Sequence, residues 1–559
     1  MNPHASTKCA GRLLMALAAI ASILLMANCG SSSSLPTPNK EGFGDGNLSG
    51  TYVISISGTD VNTTNDNIVP FAIVGTIAAN GSGGITGGTV DINDPGNLGV
   101  QIGQAVSSSS GYHIGQDGRG TGTLVTPVGS FNIDFVLTSA NHGLISRFDR
   151  FGTGSGTIDL QTPVTSLTGS YAFSLSGADS GENPLGTVGA FTLSSNSITG
   201  TEDFNDDLTS GAGFTGLTLT GQVVLGAGGT SATAHFINTS VVDASLASLN
   251  FDVWVIDSTH LKFIENDTAD TGVLLAGDAF TQVTSLSAGQ LVFVLGGLDG
   301  TGNPVAAGGY ATTDANGDLT NGVEDYNDAG TVGLGKPFST TTATCVAGRC
   351  QLTLNGFSNG ASQPFVFAVY PSSGGGQALE IDSFGLLQGA AYSQQATSFT
   401  DSGGYALNLT GANNFNPNLP LGEWGEVDDI AQFDAGTPDT SFTGLLNMTG
   451  SLDENDLSFL LTTSGLDGVY VPDTAPDGRG SISATNNDTL LGGFTLQYYV
   501  VDSSTVVFID VDSLALDGGA AQVAVGTFAA QSASGSAAEQ SHMLLVRPAV
   551  RPHAAFQRK

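Results

Sequence analysis

Short runs in which large apolar residues alternate with small or polar ones cover most of the chain beyond residue 47. In the stretch 171–176, for example, Tyr171, Phe173 and Leu175 occupy every second position and are separated by alanine and serine. Successive side chains of a β-strand point to opposite faces, so a period of two indicates strands with one buried face. The period of an amphipathic helix is nearly absent outside the first 29 residues. The pattern therefore predicts an all-β protein.

One strand-opening phrase recurs four times along the chain. It consists of a glycine, a variable residue, a large residue and then apolar residues at alternate positions, and its large residues are Tyr52, Tyr171, Leu291 and Tyr405. These residues are 119, 120 and 114 positions apart. Such a period exceeds the roughly 20–50 residues of a solenoid repeat and suits a small domain that buries its own core. The sequence thus predicts four tandem copies of one antiparallel β domain.

Within each copy, turn signals such as Asn80-Gly81 and Asn316-Gly317 separate about eight or nine strand-like runs. Sequential strands in this number can close on themselves and leave no exposed edge, so we favour up-and-down barrels. The stretch 167–171, Leu-Thr-Gly-Ser-Tyr, resembles the Gly-x-aromatic opening of lipocalin and avidin barrels. Immunoglobulin-like β-sandwiches are the alternative, although the Cys, Trp, Cys spacing of antibody domains is missing.

The first 29 residues have the layout of an export signal. Lys8 and Arg12 precede an apolar run over 13–27, which is shorter than the ~20 residues of a membrane-spanning helix. Cys29 closes the run and is followed by a glycine and four serines, while Asn28 stands where a small residue is usual. The arrangement resembles the lipobox of bacterial lipoproteins, which implies that Cys29 is acylated. A secretory signal without a lipid is the alternative.

The expected organisation follows from these segments: a lipoprotein signal peptide over 1–28, a Ser/Gly/Pro-rich tether over 29–46, β copies over 47–162, 165–283, 287–395 and 399–532, and a disordered basic tail over 533–559. The signal, tether and repeats together resemble uncharacterised exported bacterial lipoproteins built from glycine-rich tandem β repeats. That resemblance implies a location in the bacterial envelope, at the outer membrane or cell surface. It implies no particular activity.

The charge balance narrows the possible partners. The chain carries 50 acidic and 14 basic side chains, which gives a formal net charge of −36. Such a charge repels phosphate backbones and anionic lipid head groups, so nucleic acid is excluded as a partner. We expect contact with a membrane only through the lipid at Cys29. An extracellular polymer, a surface protein or a small apolar ligand remain possible partners.

Cysteine usage agrees with export. Apart from Cys9 in the signal and Cys29, the sequence contains only Cys345 and Cys350, which flank four residues between two strand-like runs. Two cysteines facing each other across a hairpin suit a disulfide, and we predict one here. A metal site would need further ligands.

An acidic phrase closes the third strand-like run of copies one, two and three. Its members are Asp91, Asn93 and Asp94, then Asp203, Asn205 and Asp206, then Asp325, Asn327 and Asp328. Asp and Asn oxygens are hard ligands of the kind Ca²⁺ prefers, so calcium is the one cofactor the sequence suggests. The alternative is a polar turn in which these side chains cap the backbone. Copy four has Asp428-Asp429 in place of the phrase, and we expect it to lack the motif.

No catalytic residues are predicted. The histidines of the repeats are isolated from one another and are expected at the surface. The sequence therefore favours a non-enzymatic, lipid-anchored envelope protein that displays four β domains for adhesion, matrix contact or ligand binding. A lipocalin-like carrier with one cavity in each barrel is the first alternative. A secreted carbohydrate-active enzyme, which would use a pair of carboxylates, is the second. A last shared feature is the glutamine that ends each copy, at Gln161, Gln282, Gln394 and Gln531.

Overall fold

A computed structural model describes residues 42–62, 67–206, 214–241, 243–267, 272–356, 365–400, 402–420, 422–438, 446–457, 459–486, 493–513 and 521–534. These residues belong to one compact unit that begins at Pro38. The signal with Cys29, most of the tether and the basic tail beyond residue 534 lie outside the described residues.

Copy one is an antiparallel sheet of nine strands in the order β4-β3-β2-β1-β9-β8-β7-β6-β5. The strands are β1 Ser49–Val61, β2 Ile68–Asn80, β3 Ile85–Asp94, β4 Gly99–Ala105, β5 Gly111–Ile114, β6 Arg119–Thr126, β7 Gly129–Leu137, β8 His142–Asp149 and β9 Gly152–Leu160. A short 3-10 turn, Asp45–Asn47, precedes them. This sheet does not close, because β4 pairs with β3 while β5 pairs with β6. The predicted barrel is thus split at its fourth element in copy one.

Copies two, three and four are closed barrels of eight antiparallel strands, in which each strand pairs with the next and the last pairs with the first. This confirms four tandem β domains and the up-and-down barrel. Copy two comprises β10 Gly169–Ala178, β11 Pro184–Ser194, β12 Ser197–Asp206, β13 Leu217–Leu225, β14 Ser231–Asn238, β15 Ser248–Val255, β16 His260–Glu265 and β17 Leu274–Thr281, with a 3-10 turn at Ala244–Leu246.

The remaining two copies repeat this plan. Copy three comprises β18 Gly289–Asp299, β19 Pro304–Thr313, β20 Leu319–Asp328, β21 Thr331–Val346, β22 Arg349–Asn355, β23 Phe365–Ser372, β24 Gly375–Glu380 and β25 Gly385–Ser393. Copy four comprises β26 Gly403–Asn413, β27 Gly425–Pro438, β28 Leu446–Asp456, β29 Phe459–Pro472, β30 Arg479–Asn486, β31 Phe494–Val500, β32 Thr505–Asp510 and β33 Gln522–Ala530. No described helix is long and apolar enough to cross a membrane.

The alternating large residues fill the barrel interiors. In copy two, Tyr171, Phe173 and Leu175 of β10 all lie in the core cluster. Phe173, Phe236 and further phenylalanines from other strands pack with their ring centroids 5.1–6.1 Å apart. Each buried ring contributes about 1.5–3 kcal/mol through the apolar area it removes from water. The opening phrase of each repeat is therefore a core element.

Cys345 and Cys350 are joined in the structure, on β21 and β22, with their Cα atoms 4.0 Å apart. The hairpin between them is tighter than its four intervening residues suggest, because both strands continue past the cysteines. Its two-residue turn consists of Ala347 and Gly348, both with positive φ, of 51° and 82°. Two successive residues in this region are the signature of a type I′ hairpin turn.

The four copies contact each other in a closed cycle, so that copy four also packs against copy one. We call each contact region a seam and name it by its two copies. The strands near the start of one copy meet the strands near the end of the next copy in every seam. The apolar residues buried in the seams are Ala72, Val74, Ile264, Leu274 and Ala276 in seam 1–2, Ala172, Val188, Tyr370 and Leu379 in seam 2–3, Val294, Ala306, Tyr499 and Ile509 in seam 3–4, and Val136, Leu144, Ala406 and Ile430 in seam 4–1.

Candidate functional site

The acidic phrase lies at the end of the third strand of its copy, within β3, β12 and β20, and it does not form a separate loop. Strand alternation sends its members to opposite faces. Val90 and Ile92 of β3 belong to the core of copy one, so Asp91 and Asn93 point out of the sheet. Asp94 points to the same side as Ile92. The three polar residues of each phrase therefore do not share a face.

Each phrase asparagine bonds to the backbone of the next copy. Asn327 Nδ2 lies 3.1 Å from Asp510 O, 3.1 Å from Asp512 O and 2.8 Å from Gln522 O, across seam 3–4. Asn205 Nδ2 donates across seam 2–3 to Glu380 O and Gly385 O, both at 2.8 Å. Asn93 Nδ2 reaches Glu265 O, Glu265 Oε2 and Val273 O across seam 1–2. The asparagine is thus a staple between copies.

Copy four does contain the phrase, contrary to the sequence expectation. Its third strand, β28, ends in Asp453-Glu454-Asn455-Asp456. Asn455 Nδ2 donates to Arg147 O, Asp149 O and Gly152 O of copy one, at 3.0, 3.3 and 2.8 Å. Asp428 and Asp429 belong to the second strand, β27. The phrase falls outside its expected position because the third strand of copy four lies farther along the chain from its opening strand than in the other copies.

The glutamine that ends each copy is a second staple. Gln531 Nε2 donates to Asp117 O and Leu137 O of copy one, both at 2.8 Å. Gln394 makes the same pair of bonds to Asp477 O and Val500 O of copy four. Gln161 bonds to Thr230 O and Val255 O of copy two, and Gln282 bonds to Gly348 O of copy three. The repeated glutamine was visible in the sequence, but its partners lie in another copy.

The first aspartate of the phrase also accepts hydrogen bonds from the next copy, across the seams. Asp203 is fully buried and accepts hydrogen bonds from Arg349 Nε at 2.7 Å, Arg349 Nη2 at 2.6 Å and the Tyr370 hydroxyl at 2.5 Å. Asp325 accepts the equivalent bonds from Arg479 Nε, Arg479 Nη2 and the Tyr499 hydroxyl, at 2.7, 2.6 and 2.5 Å. A bidentate guanidinium satisfies a buried carboxylate in both charge and geometry.

The surroundings of these triads alter the acid–base behaviour of the tyrosines. Burial raises the pKa of Tyr370 well above its usual value, and the carboxylate of Asp203 raises it further. Tyr499 behaves in the same way beside Asp325. Both tyrosines therefore remain neutral hydrogen-bond donors over the physiological range.

These contacts bear on whether the acidic phrase could bind calcium. Asp203 and Asp325 already accept from an arginine and a tyrosine, and each phrase asparagine uses its amide group across a seam. Among the described residues, no three His, Cys, Asp or Glu side chains are grouped so that they could hold a metal ion. Asp94, Asp206 and Asp328 lie on the opposite face from the first aspartate. The donor set of the phrase thus fits the seam better than it fits a cation.

Two histidines that the sequence analysis treated as isolated belong to a buried charge cluster, which corrects that expectation. His142 and His260 each begin the penultimate strand of their copy. His142 Nδ1 lies 2.7 Å from Asp159 Oδ1, and His260 Nε2 lies 2.6 Å from Asp278 Oδ1. Lys262 Nζ links the two copies, because it lies 2.7 Å from Asp278 and 3.8 Å from Asp159.

The cluster shifts the pKa of its carboxyls downward. Burial alone would raise the pKa of Asp278, but the charge of Lys262 and the hydrogen bond from His260 outweigh it and lower the pKa. Burial also opposes ionisation of Asp159, whose pKa is nevertheless lowered by His142 and Lys262. Each histidine pairs with an aspartate on the adjacent last strand of its own copy, and Lys262 joins the two pairs across seam 1–2.

An open pocket of about 750 Å³ lies beside barrel two. Its wall is formed by the linker before β10, the β11–β12 hairpin and the β13–β14 hairpin, and its lining residues are Pro163, Val164, Thr165, Ser166, Leu167, Thr168, Leu193, Ser195, Asn196, Val223, Leu225, Gly226, Ala227, Gly228 and Gly229. All of these side chains are uncharged.

The chain was compared with known proteins at the level of sequence. No protein-family model matches it, and no curated protein matches it.

Proposed function

We propose that this protein is a non-enzymatic, lipid-anchored envelope protein whose four β domains form one rigid platform for adhesion, matrix contact or ligand binding. The observation that carries this proposal is the use of the repeated polar residues. The phrase asparagines and the terminal glutamines bond across the seams, so the features shared by all copies serve assembly. The turns, which differ between copies, are then available to bind a partner or ligand. Tandem display raises avidity without strong single sites.

The charge of the chain limits what the platform would hold. A formal net charge of −36 disfavours anionic polymers and anionic lipid surfaces, whereas it suits neutral or cationic partners. The partner class we favour is therefore a neutral or basic extracellular polymer or surface protein.

The anchor is tested by acyl labelling in a bacterial host. The full chain and its Cys29→Ser variant are expressed with a fatty-acid probe, and Cys9→Ser serves as the matched control because Cys9 lies in the signal. We expect label and membrane association in the wild type and in the control, and loss of both in Cys29→Ser. Label retained in Cys29→Ser would reject the anchor.

The display function is tested on intact cells. We expect an antibody against the four-copy body to label cells that express the wild type, and a soluble Cys29→Ser protein to reach the medium or periplasm unattached. Cells should also adhere to immobilised neutral or basic polymers more strongly than cells lacking the protein. Surface labelling without any gain in adhesion would leave the location intact and reject the adhesive function.

The carrier alternative has one specific observation in its favour, the uncharged pocket beside barrel two. Against a lumenal ligand stands the packing of phenylalanine rings in the interior of that barrel. A titration of the purified protein with an apolar fluorescent probe distinguishes the two. Saturable binding abolished by Gly228→Trp, a change at the pocket wall, would favour the carrier.

A further inference from the structure

The four seams can be compared position by position, because the strand registers are equivalent. Each seam contains the first aspartate of the phrase and three residues of the next copy. In copies two, three and four these three are the residue that begins the fifth strand, the sixth-strand residue facing it, and the residue two positions before that one. In copy one, whose fourth element is split in two, the equivalent residues lie on β6 and β7. The four residues are Asp91, Ser231, Trp254 and Asp252 in seam 1–2, Asp203, Arg349, Tyr370 and Ala368 in seam 2–3, Asp325, Arg479, Tyr499 and Gln497 in seam 3–4, and Asp453, Arg119, Val136 and Asp134 in seam 4–1.

Seams 2–3 and 3–4 are balanced in charge at these positions. Each holds one phrase carboxylate and one guanidinium, which lie 2.6 Å apart. The fourth position is a neutral residue, Ala368 or Gln497. Arg479 also pairs with Asp473, which is one-third exposed.

The two seams of copy one contain an additional carboxyl. In seam 1–2, Asp252 occupies the fourth position and Ser231 stands where the other seams have arginine. Asp91 accepts instead from Trp254 Nε1 at 3.2 Å and from Gly103 N at 2.6 Å. This seam therefore places two carboxyls beside an uncharged indole, while the Lys262 ammonium, which faces Trp254 from β16, pairs with Asp278 and Asp159 instead.

In seam 4–1 the additional carboxyl is Asp134, which points outward from β7 on the same face as Val136. It lies within electrostatic reach of the phrase residue Asp453, whose Oδ2 lies 3.1 Å from Arg119 Nη1. Arg119 is shared with a third carboxyl, Asp117, at 3.0 Å. One guanidinium thus faces three carboxyl groups. A further buried carboxyl of this seam, Asp428, accepts hydrogen bonds from Thr153 and Ser155 of copy one.

Because these carboxyls are buried, ionisation of the second member of each pair is energetically unfavourable. Burial raises the pKa of Asp91 to about 6, and the charge of Asp252 adds to the increase. Burial raises the pKa of Asp134 to about 8, with a further increase from Asp453 that Arg119 only partly offsets. A group whose pKa is raised on folding stabilises the fold below its unfolded value, near 4, and that stability is lost as the pH rises through the folded value.

We propose that copy one is held in the cycle by two proton-dependent latches, the carboxyl pairs Asp91/Asp252 and Asp134/Asp453, which close its seams when protonated and loosen them when both carboxyls ionise. Seams 2–3 and 3–4 stay closed at either pH, since each pairs its phrase carboxylate with an arginine and has a neutral residue, Ala368 or Gln497, at the fourth position. The latches act between about pH 6 and 8. Copy one is also the copy next to the N-terminal tether, so the latches, if the proposed anchor at Cys29 holds, control how firmly the platform is joined to its point of attachment.

Trp254 is a built-in reporter for seam 1–2, because the chain has two tryptophans and Trp424 can be replaced. In a Trp424→Phe background we expect Trp254 emission to change with a midpoint near pH 6. Asp91→Asn should abolish the change, and Ser231→Arg, which supplies the guanidinium found in the other seams, should move the midpoint to lower pH. A flat signal between pH 5 and 9, or the same midpoint in Asp91→Asn, would overturn the proposal.

Hydrogen exchange at pH 5 and pH 9 tests both latches in the intact chain, with rates corrected for the intrinsic pH dependence of exchange. We expect β7 and β27, and likewise β2 and β16, to lose about tenfold in protection at pH 9. The equivalent strands of seams 2–3 and 3–4 should keep the same protection at pH 5 and pH 9. Asp134→Asn should restore protection in seam 4–1, and Gln497→Asp should introduce the loss into seam 3–4. Equal loss in all four seams, or no effect of either substitution, would contradict the latch.

Discussion

At the scale of single residues, several polar side chains prove to be buried and paired with one another across the seams. Arg479 exemplifies this, because its guanidinium satisfies a carboxylate, Asp325, that has no solvent exposure. Neither residue is unusual in the sequence. Their importance comes from burial, since a carboxylate taken out of water needs its counter-charge.

We predict that Arg479→Gln lowers the free energy of unfolding by about 3–5 kcal/mol, because Asp325 is left as an unpaired buried charge. The double variant Arg479→Gln with Asp325→Asn should recover most of the loss. Urea unfolding of the two single variants and the double variant measures this as a double-mutant cycle. An additive loss in the double variant would contradict the interpretation.

Glu202 provides a pH-dependent prediction inside barrel two. It is buried beside Thr187 and Asn238, and burial raises its pKa to about 7. The pKa is raised on folding, so the associated stability is present below about pH 4 and is lost as the pH rises through 7. We expect Glu202→Gln to be more stable than the wild type at pH 9, by about 3 kcal/mol.

Thermal unfolding at pH 5 and pH 9 measures this difference. The exposed Glu423 gives a matched control, and Glu423→Gln should leave the pH profile unchanged. If Glu202→Gln and the wild type lose stability in parallel up to pH 9, then Glu202 is not the titrating group.

At the scale of elements, the sequence was most informative for strands. The period-two alternation specified which residues face the core, as Tyr171 and Phe173 show, because that pattern depends only on neighbours along the chain. It did not reveal that the fourth strand of copy one is split, since the break between β4 and β5 depends on which strand each half pairs with. The alternation also does not indicate which polar residues on the outer face of a strand are buried by a neighbouring copy.

The β21–β22 hairpin allows a local test. We predict that reduction of the Cys345–Cys350 bond lowers the stability of copy three by about 2 kcal/mol, because the bond closes only a short loop in the unfolded chain. Hydrogen exchange with and without reductant measures it. Loss of protection should centre on β21 and β22, whereas a loss spread over all four copies would indicate a wider role.

At the scale of the whole molecule, the staples make one assembly from four similar domains. Each seam is closed by an asparagine near its start strands and a glutamine that ends the preceding copy. The cycle is completed by Asn455 and Gln531, which connect copy four with copy one across more than 300 residues of chain.

We predict that Asn455→Ala combined with Gln531→Ala weakens seam 4–1 by about 2–6 kcal/mol, since each change removes an amide group that donates to two or three buried carbonyls, at about 1–3 kcal/mol for each residue. Barrels two and three should unfold as before. Asn316→Ala, a change in an exposed turn, is the control. Hydrogen exchange resolved by copy is the measurement, and uniform protection in the double variant would show that the staples are dispensable.

The sequence by itself determined the fold class, the number of copies and the core faces of their strands, because these follow from local alternation and from a long repeat. It also exposed the acidic phrase and the terminal glutamine as shared features. Only the tertiary structure decided their roles. Asn327 and Gln531 bond to backbone atoms some 180 to 410 positions away, and strand alternation places Asp91 and Asp94 on opposite faces. A contact between copies leaves no periodic trace in the chain, since it depends on how folded surfaces meet.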